Sequence, residues 1–188
     1  MKKLGLFMII ATILISLSAP DGFAFQLGGK EMVKNGQGTR TKFLVGATYI
    51  ATLWVPATLK GKSGKEIIEA NEPMSMVLVL QSNMVTRERF VEALSEGFDK
   101  AATSGYKTAS KQAILDLYKN VTFQKGDVVN MSYTPAGLTT TYKSVKPGSK
   151  VETLGTIAGL DLKKALFAIW LGSAPIQDSL KSELLSGK

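Results

Sequence analysis

The chain has 188 residues, of which 45% are hydrophobic and 20% charged, and a net charge of +8, as expected for one folded domain with its own core. It contains no cysteine, which excludes disulfides, and no histidine, which excludes a Ser-His-Asp triad, a histidine general base and the commonest metal ligand. We find no EF-hand loop and no phosphate-binding glycine loop, and we expect neither a metal nor a cofactor.

The first 24 residues have the pattern of a secretory signal peptide. Lys2 and Lys3 precede a run of fifteen apolar or small residues, GLFMIIATILISLSA, and Gly22 and Ala24 are the small residues of a cleavage site. The run is shorter than the roughly 20 residues of a membrane-spanning helix. We therefore expect cleavage after Ala24 and a periplasmic or secreted domain of residues 25–188; the alternative is a retained membrane anchor.

The charge of the remaining chain favours anionic partners. Residues 1–24 contain two lysines and one aspartate, so that cleavage leaves 21 basic and 14 acidic residues and a net charge of +7. Carboxylates and phospholipid head groups fit this balance, whereas export argues against nucleic acid. The sequence leaves the oligomeric state open.

The predicted elements begin with a glycine-spaced turn, NGQGTR (35–40), and a strand from Arg40 to Val55. Sixteen residues is long for one strand, so we expect a bulge at Gly46. A short helix capped by Ser63 and an apolar strand over residues 73–82 follow.

A longer helix is predicted to begin at Thr86, with Phe90, Leu94, Phe98 and Ala102 on one face, and to end at Gly105. A second helix is expected over residues 108–120. Three strands in hairpin order follow, namely VVNMSY, LTTTYKS and KVETLGTI.

The C-terminal stretches GLDLKKALFAIWLG and APIQDSLKSELL predict a helical pair. We expect Asp161 to cap the first helix, Gly172 to end it, and Pro175 to lie near the first position of the second. Strands joined as hairpins imply an antiparallel sheet, and amphipathic helices must cover one of its faces. The predicted class is α+β.

Five stretches carry a resemblance to a known family: NGQGTR, KFLVGATYIATLW, LKGKSGKEIIE, KGDVVNMSYTPAGLTTTY and IWLGSAPIQDSLKSELL. In this order they resemble the bacterial, exported branch of the chalcone isomerase-like family. The resemblance implies an open-faced sandwich, in which a ligand cleft lies between an antiparallel sheet and a layer of helices.

In true chalcone isomerases a substrate phenolate attacks an enone of the same molecule, close to an arginine that Arg40 matches. By ungapped register, the family's catalytic threonine, tyrosine, asparagine and second threonine fall on apolar or basic residues here: Leu44, Arg87 or Phe90, Leu94 and Ile169. These departures argue against efficient chalcone cyclisation.

Fatty-acid-binding members of the same fold are thought to hold the lipid carboxylate with an arginine and a tyrosine. The resemblance implies this role for Arg40, with Tyr49 as helper and with Phe43, Leu94 and Phe98 as apolar walls. In one regular strand Arg40 and Tyr49 would face opposite sides of the sheet, so the pairing depends on the bulge at Gly46. The alternatives are a salt bridge from Arg40 to a helix carboxylate and a core role for Tyr49.

Three hypotheses follow. The first is a noncatalytic binder of a fatty acid or similar amphipathic carboxylate. The second is an isomerase of the intramolecular lyase type, acting on an enone with Arg40 stabilising an enolate. The third is a role at an anionic membrane surface, which only the net charge supports.

Overall fold

The structure is a computed structural model that describes residues 25–42, 44 and 46–187. The predicted signal peptide and the predicted wall residue Phe43 lie outside the described residues.

In the described part of the chain, seven strands form one antiparallel sheet in which the spatial order follows the chain order. The strands are β1 (Phe25–Leu27), β2 (Lys30–Lys42), β3 (Gly46–Pro56), β4 (Met74–Leu80), β5 (Val128–Thr134), β6 (Gly137–Lys143) and β7 (Glu152–Ile157). Each pairs with the next through an antiparallel ladder. The hairpin order predicted for the last three strands is confirmed.

The same described residues form five α-helices: α1 (Gly64–Glu69), α2 (Arg87–Thr103), α3 (Lys111–Asp116), α4 (Leu160–Leu171) and α5 (Asp178–Leu184). The predicted caps Ser63 and Thr86 are confirmed, because their hydroxyls accept hydrogen bonds from the backbone N–H groups of Glu66 and Arg89. None of the helices within residues 25–187 is both long and apolar enough to cross a lipid bilayer.

The main core lies between the helices and one face of the sheet. Alternate residues of β3, β4 and β5 point into it, for example Leu53, Met76 and Met131, and each of these is buried. Helix α4 is buried almost all round, as expected for a central apolar helix. The predicted α+β class, an antiparallel sheet with helices on one face, is confirmed.

The predicted strand from Arg40 to Val55 is wrong, because the chain turns between β2 and β3. Arg40 and Tyr49 are directly opposite one another in the β2–β3 ladder. Residues that face each other across an antiparallel pair point to the same side. The hairpin therefore places both side chains on the helix-covered face, and no bulge at Gly46 is needed.

The glycine-spaced stretch is not a turn either; Gly36 and Gly38 lie inside β2. A Cβ on Gly36 would collide with the carbonyl oxygens of Glu183 and Leu184, and one on Gly38 with the Glu183 side chain. The two glycines thus let the end of α5 lie directly against the strand.

Three further boundaries differ from prediction. The helix expected over residues 108–120 is α3, which ends at Asp116 and continues as turns. Asp161 does not cap α4, because the residue before the helix is Gly159 and the Asp161 carboxylate accepts a hydrogen bond from Thr108. Helix α5 begins at Asp178, three residues after Pro175.

Candidate functional site

A cleft of about 310 Å³ opens between the β2–β3 hairpin and helices α2 and α4. Its size is at the lower end of the ~300–1,000 Å³ typical of small-molecule sites. The inner walls are apolar and consist of Leu78, Val85, Phe90, Leu94, Ile169 and Ile176. Polar groups lie mainly on the strands and along the outer edge of α2.

Arg40 is half-buried at the polar side of this cleft. Its Nη1 atom donates to the Thr41 carbonyl at 2.7 Å and to Gln177 Oε1 at 2.9 Å. Among the described residues no carboxylate lies within ion-pair distance of the guanidinium, and Nε and Nη2 have no hydrogen-bond acceptor. Three of the five guanidinium N–H groups of Arg40 are therefore unused among the described residues.

Gln177, immediately before α5, holds the strand around Arg40. Its Oε1 atom also accepts from the Thr41 backbone N–H, and its Nε2 atom donates to the Thr39 carbonyl. These bonds fix β2 on both sides of Arg40. Among the described residues, a neutral amide therefore takes the place of the carboxylate partner considered from the sequence.

Tyr49 is oriented by Trp170 of α4. The indole Nε1–H donates to the Tyr49 hydroxyl at 3.0 Å, and because an indole only donates, the hydroxyl oxygen must accept. Burial raises the pKa of Tyr49 to about 12, against the opposing effects of the Trp170 hydrogen bond and the Arg40 charge. The hydroxyl is thus protonated at physiological pH, and its own proton has no acceptor among the described residues.

Arg40 and Tyr49 together present hydrogen-bond donors at one end of an apolar cleft. Their strands hold them opposite each other, Gln177 fixes the first and Trp170 fixes the second. A carboxylate accepts through two oxygens and matches a planar guanidinium, which can donate two parallel hydrogen bonds. The arrangement is suited to an anionic head group joined to an apolar body.

The other predicted site residues are placed differently from one another. Leu94 lines the cleft, whereas Phe98 is buried in the core and does not. Leu44, on which the family's catalytic threonine falls by ungapped register, is 88% exposed in the β2–β3 turn. Ile169 lines the cleft wall as an apolar residue.

The rim of the cleft carries more positively than negatively charged side chains. Helix α2 contributes Arg89 and Lys100 but also Glu92 and Glu96, so its charges cancel. Strand β2 adds Lys42 beside Arg40, and neither side chain forms an ion pair within the part of the chain that the structure describes. The excess positive charge of the cleft therefore comes from the end of β2.

Sequence reasoning missed Gln177 and the role of Trp170. Gln177 precedes a helix and Trp170 lies in an apolar run, and neither position has a sequence pattern that distinguishes a site residue from an ordinary surface or core residue. Only the long-range approach of α4 and α5 to the hairpin gives them their roles. No cluster of three or more potential metal-ligating side chains occurs in the part of the chain that the structure describes.

Comparison with known proteins agrees with this architecture. The structure resembles a fatty-acid-binding protein of Arabidopsis thaliana with a TM-score of 0.61 and 15% sequence identity, over 88% of this chain and 92% of that one. At this identity the likeness establishes the fold alone. No curated protein matches the sequence. The family described as chalcone isomerase-like matches residues 18–186, and the chain therefore belongs to the chalcone isomerase-like family.

Proposed function

We propose that this protein binds a fatty acid or a similar amphipathic carboxylate in the cleft between the β2–β3 hairpin and helices α2 and α4. The observation that carries the proposal is the pairing of Arg40 and Tyr49, which offer unused donors at the polar end of an apolar cavity. Binding without chemical conversion is the function that this geometry supports best.

The head group would be held by charge-assisted hydrogen bonds. Hydrogen bonds to charged groups contribute about 1.5–3 kcal/mol, more than neutral ones, and a partly dry site strengthens them. The Tyr49 hydroxyl adds a neutral donor whose direction the Trp170 indole fixes. A carboxylate can use both partners at once, whereas an ester lacks the charge.

The apolar part of the ligand would lie along the inner walls. Each buried CH2 group contributes about 0.8 kcal/mol, so several methylenes against Leu94, Phe90 and Ile169 match the head-group contribution. The likeness to a fatty-acid-binding protein supports this proposal at the level of the fold. The pattern of residues 1–24 supports binding in the periplasm or outside the cell.

Calorimetric titration with palmitic acid and with methyl palmitate tests the head-group claim. We expect the acid to bind more tightly than the ester, and Arg40→Gln to weaken binding of the acid about tenfold to a hundredfold while changing that of the ester little. Lys60→Gln, an equal loss of charge on an exposed residue outside the cleft, is the matched control and should behave as wild type.

Equal affinities of the wild type for acid and ester would overturn the proposal. Turnover of an added enone such as a chalcone, lost in Arg40→Gln, would instead establish the isomerase hypothesis.

A further inference from the structure

The exposed large hydrophobic side chains of the described residues lie at one end of the sheet. They are Leu44, Met84, Val145 and Val151, with exposed fractions of 88%, 45%, 55% and 38%. Leu44 lies in the β2–β3 turn, Met84 in the loop after β4, and the two valines between β6 and β7. The described loops at the opposite end expose none.

The antiparallel order brings these loops together. In this antiparallel sheet β2, β4 and β6 end on the side where β3, β5 and β7 begin. The connections that follow β2, β4 and β6 therefore lie at the same end of the sheet. The Gln81 N–H donates to the Thr48 carbonyl, which joins the loop after β4 to the start of β3. The Lys125 N–H donates to Asn83 Oδ1, which joins the same loop to the one before β5.

The carboxylate of buried Asp127 holds the loop between β6 and β7 in place. Its carboxylate accepts from the backbone N–H groups of Gln124 and Val145 and from the Tyr142 hydroxyl. The loop before β5 and the loop after β6 are thus tied to one carboxylate. Val145 remains exposed although its backbone is held, so the position of this apolar side chain is built into the fold.

The same end is strongly basic. Its lysines are Lys42, Lys125, Lys143, Lys146 and Lys150, and none of the five is in an ion pair among the described residues. The carboxylates nearby in the chain are few. Asp127 is buried and engaged, Glu88 pairs with Arg87, and Glu152 is exposed at the first position of β7. We use the name basic end for the following described residues: Lys42, Leu44, 81–86, 124–127 and 142–151.

We propose that the basic end is a docking surface for an anionic lipid bilayer. Separate apolar side chains on several loops can each insert among lipid head groups, while the surrounding lysines attract the negative surface. Another copy of this chain fits the surface poorly, because two basic ends would repel each other. The cleft is lined in part by Lys42 and Met84, so it opens beside the docking surface.

Leu44 supports a function in contact with a partner. It adopts φ = +64°, the left-handed region that glycine and asparagine favour and that is costly for leucine. Asparagine at this position would relieve the backbone and remove only the exposed apolar group. An isobutyl side chain kept there at a conformational cost, and 88% exposed, is consistent with insertion into lipid.

Co-sedimentation with vesicles tests the proposal. The protein should begin at Phe25, because the apolar run before it would itself partition into lipid, and residues 25–187 contain every described strand, helix and core cluster. We expect binding to phosphatidylcholine vesicles that contain phosphatidylglycerol, weak binding to phosphatidylcholine alone, and loss of binding at high salt.

Two sets of variants then distinguish the contribution of the lysine charges to vesicle binding from that of the inserted apolar side chain. A basic residue near an anionic surface contributes about fivefold to binding, so Lys146→Gln with Lys150→Gln should weaken it about twentyfold. Leu44→Asn should weaken it about fivefold with no loss of thermal stability. The matched control, Lys60→Gln with Lys65→Gln, removes the same charge at the opposite end and should bind as wild type.

The proposal would be overturned if the control pair lost as much vesicle binding as the Lys146 and Lys150 pair, or if Leu44→Asn bound vesicles as wild type does. It would also be overturned if sedimentation velocity showed a dimer that the Lys146 and Lys150 substitutions dissociate. The two proposals fail separately. Wild-type protein that binds vesicles as expected but takes up no palmitic acid would refute the proposed function and leave the docking surface intact.

Discussion

Lys163 of α4 provides a quantitative test of how the helical layer is held. The side chain is fully buried, and its Nζ atom donates to the carbonyl oxygens of Ile67, Ile68 and Ala70 at 2.9, 2.8 and 2.6 Å. These carbonyls end α1, where backbone acceptors have no partner within the helix. Lys163 therefore joins α1 to the helix that carries Trp170.

Lys163→Met keeps most of the side-chain volume and removes the donors. Each buried acceptor left unpaired costs about 1–3 kcal/mol. Removing the ammonium also removes the cost of burying a charge, which offsets several kcal/mol of that loss. We expect the free energy of unfolding to fall by about 2–4 kcal/mol near neutral pH.

The pH dependence has a defined sign. Burial lowers the pKa of Lys163 to about 7, with the Lys164 charge acting in the same direction and Glu69 opposing both. In the unfolded chain a lysine has a pKa of about 10.4. Between these values the unfolded state binds a proton that the folded state does not, so stability rises with pH by up to about 1.4 kcal/mol per unit.

Urea unfolding of wild type and Lys163→Met at several pH values between 7 and 10 measures both effects. The stability difference between the two proteins should widen as the pH rises, because only the wild type carries this lysine. Exposed Lys65→Met is the control and should produce no such trend. A variant as stable as wild type at pH 7, or a difference that narrows with pH, would refute this account of Lys163.

Three further predictions concern single positions. Gly36→Ala should destabilise the fold by about 1–3 kcal/mol in thermal unfolding, because the new methyl group collides with the end of α5; an unchanged Tm would contradict the close approach. Asp127→Ala should cost about 2–4 kcal/mol, because the backbone N–H groups of Gln124 and Val145 lose their acceptor and the Tyr142 hydroxyl keeps only the Thr122 carbonyl; a loss below about 1 kcal/mol would show that water replaces the carboxylate. Trp170→Phe should weaken palmitate binding about threefold to tenfold by freeing the Tyr49 hydroxyl, whereas unaltered affinity would remove the indole from the site.

The class of the fold could be predicted from the sequence because its elements are locally consistent. Alternating apolar residues indicate the strands after residue 127, and the caps Ser63 and Thr86 mark two helix starts that the structure confirms. The β2–β3 hairpin escaped prediction because its turn carries Leu44 instead of the glycine, asparagine or aspartate that a tight turn favours. Residues 30–39 of β2 were not predicted as strand, because the two glycines Gly36 and Gly38 indicate a turn, whereas in the structure they give room for α5.

For the same reason, only part of the candidate site could be predicted from the sequence. Arg40 and Tyr49 follow from the family resemblance, but their shared face depends on a hairpin that the local pattern does not show. Gln177 and Trp170 act across more than 120 residues of chain, and no local spacing encodes such a contact. Adjacent lysines likewise give no sign that Lys163 is buried and Lys164 is not.

Native mass spectrometry of the protein as isolated tests the central claim most directly. Wild type, Arg40→Gln and Lys60→Gln are purified in parallel, and the bound mass is identified after gentle release. We predict a long-chain carboxylic acid on the wild type and on Lys60→Gln, and none on Arg40→Gln. Wild-type protein that is bare and takes up no added palmitic acid, or an Arg40→Gln variant that retains the lipid, would contradict a carboxylate site at Arg40.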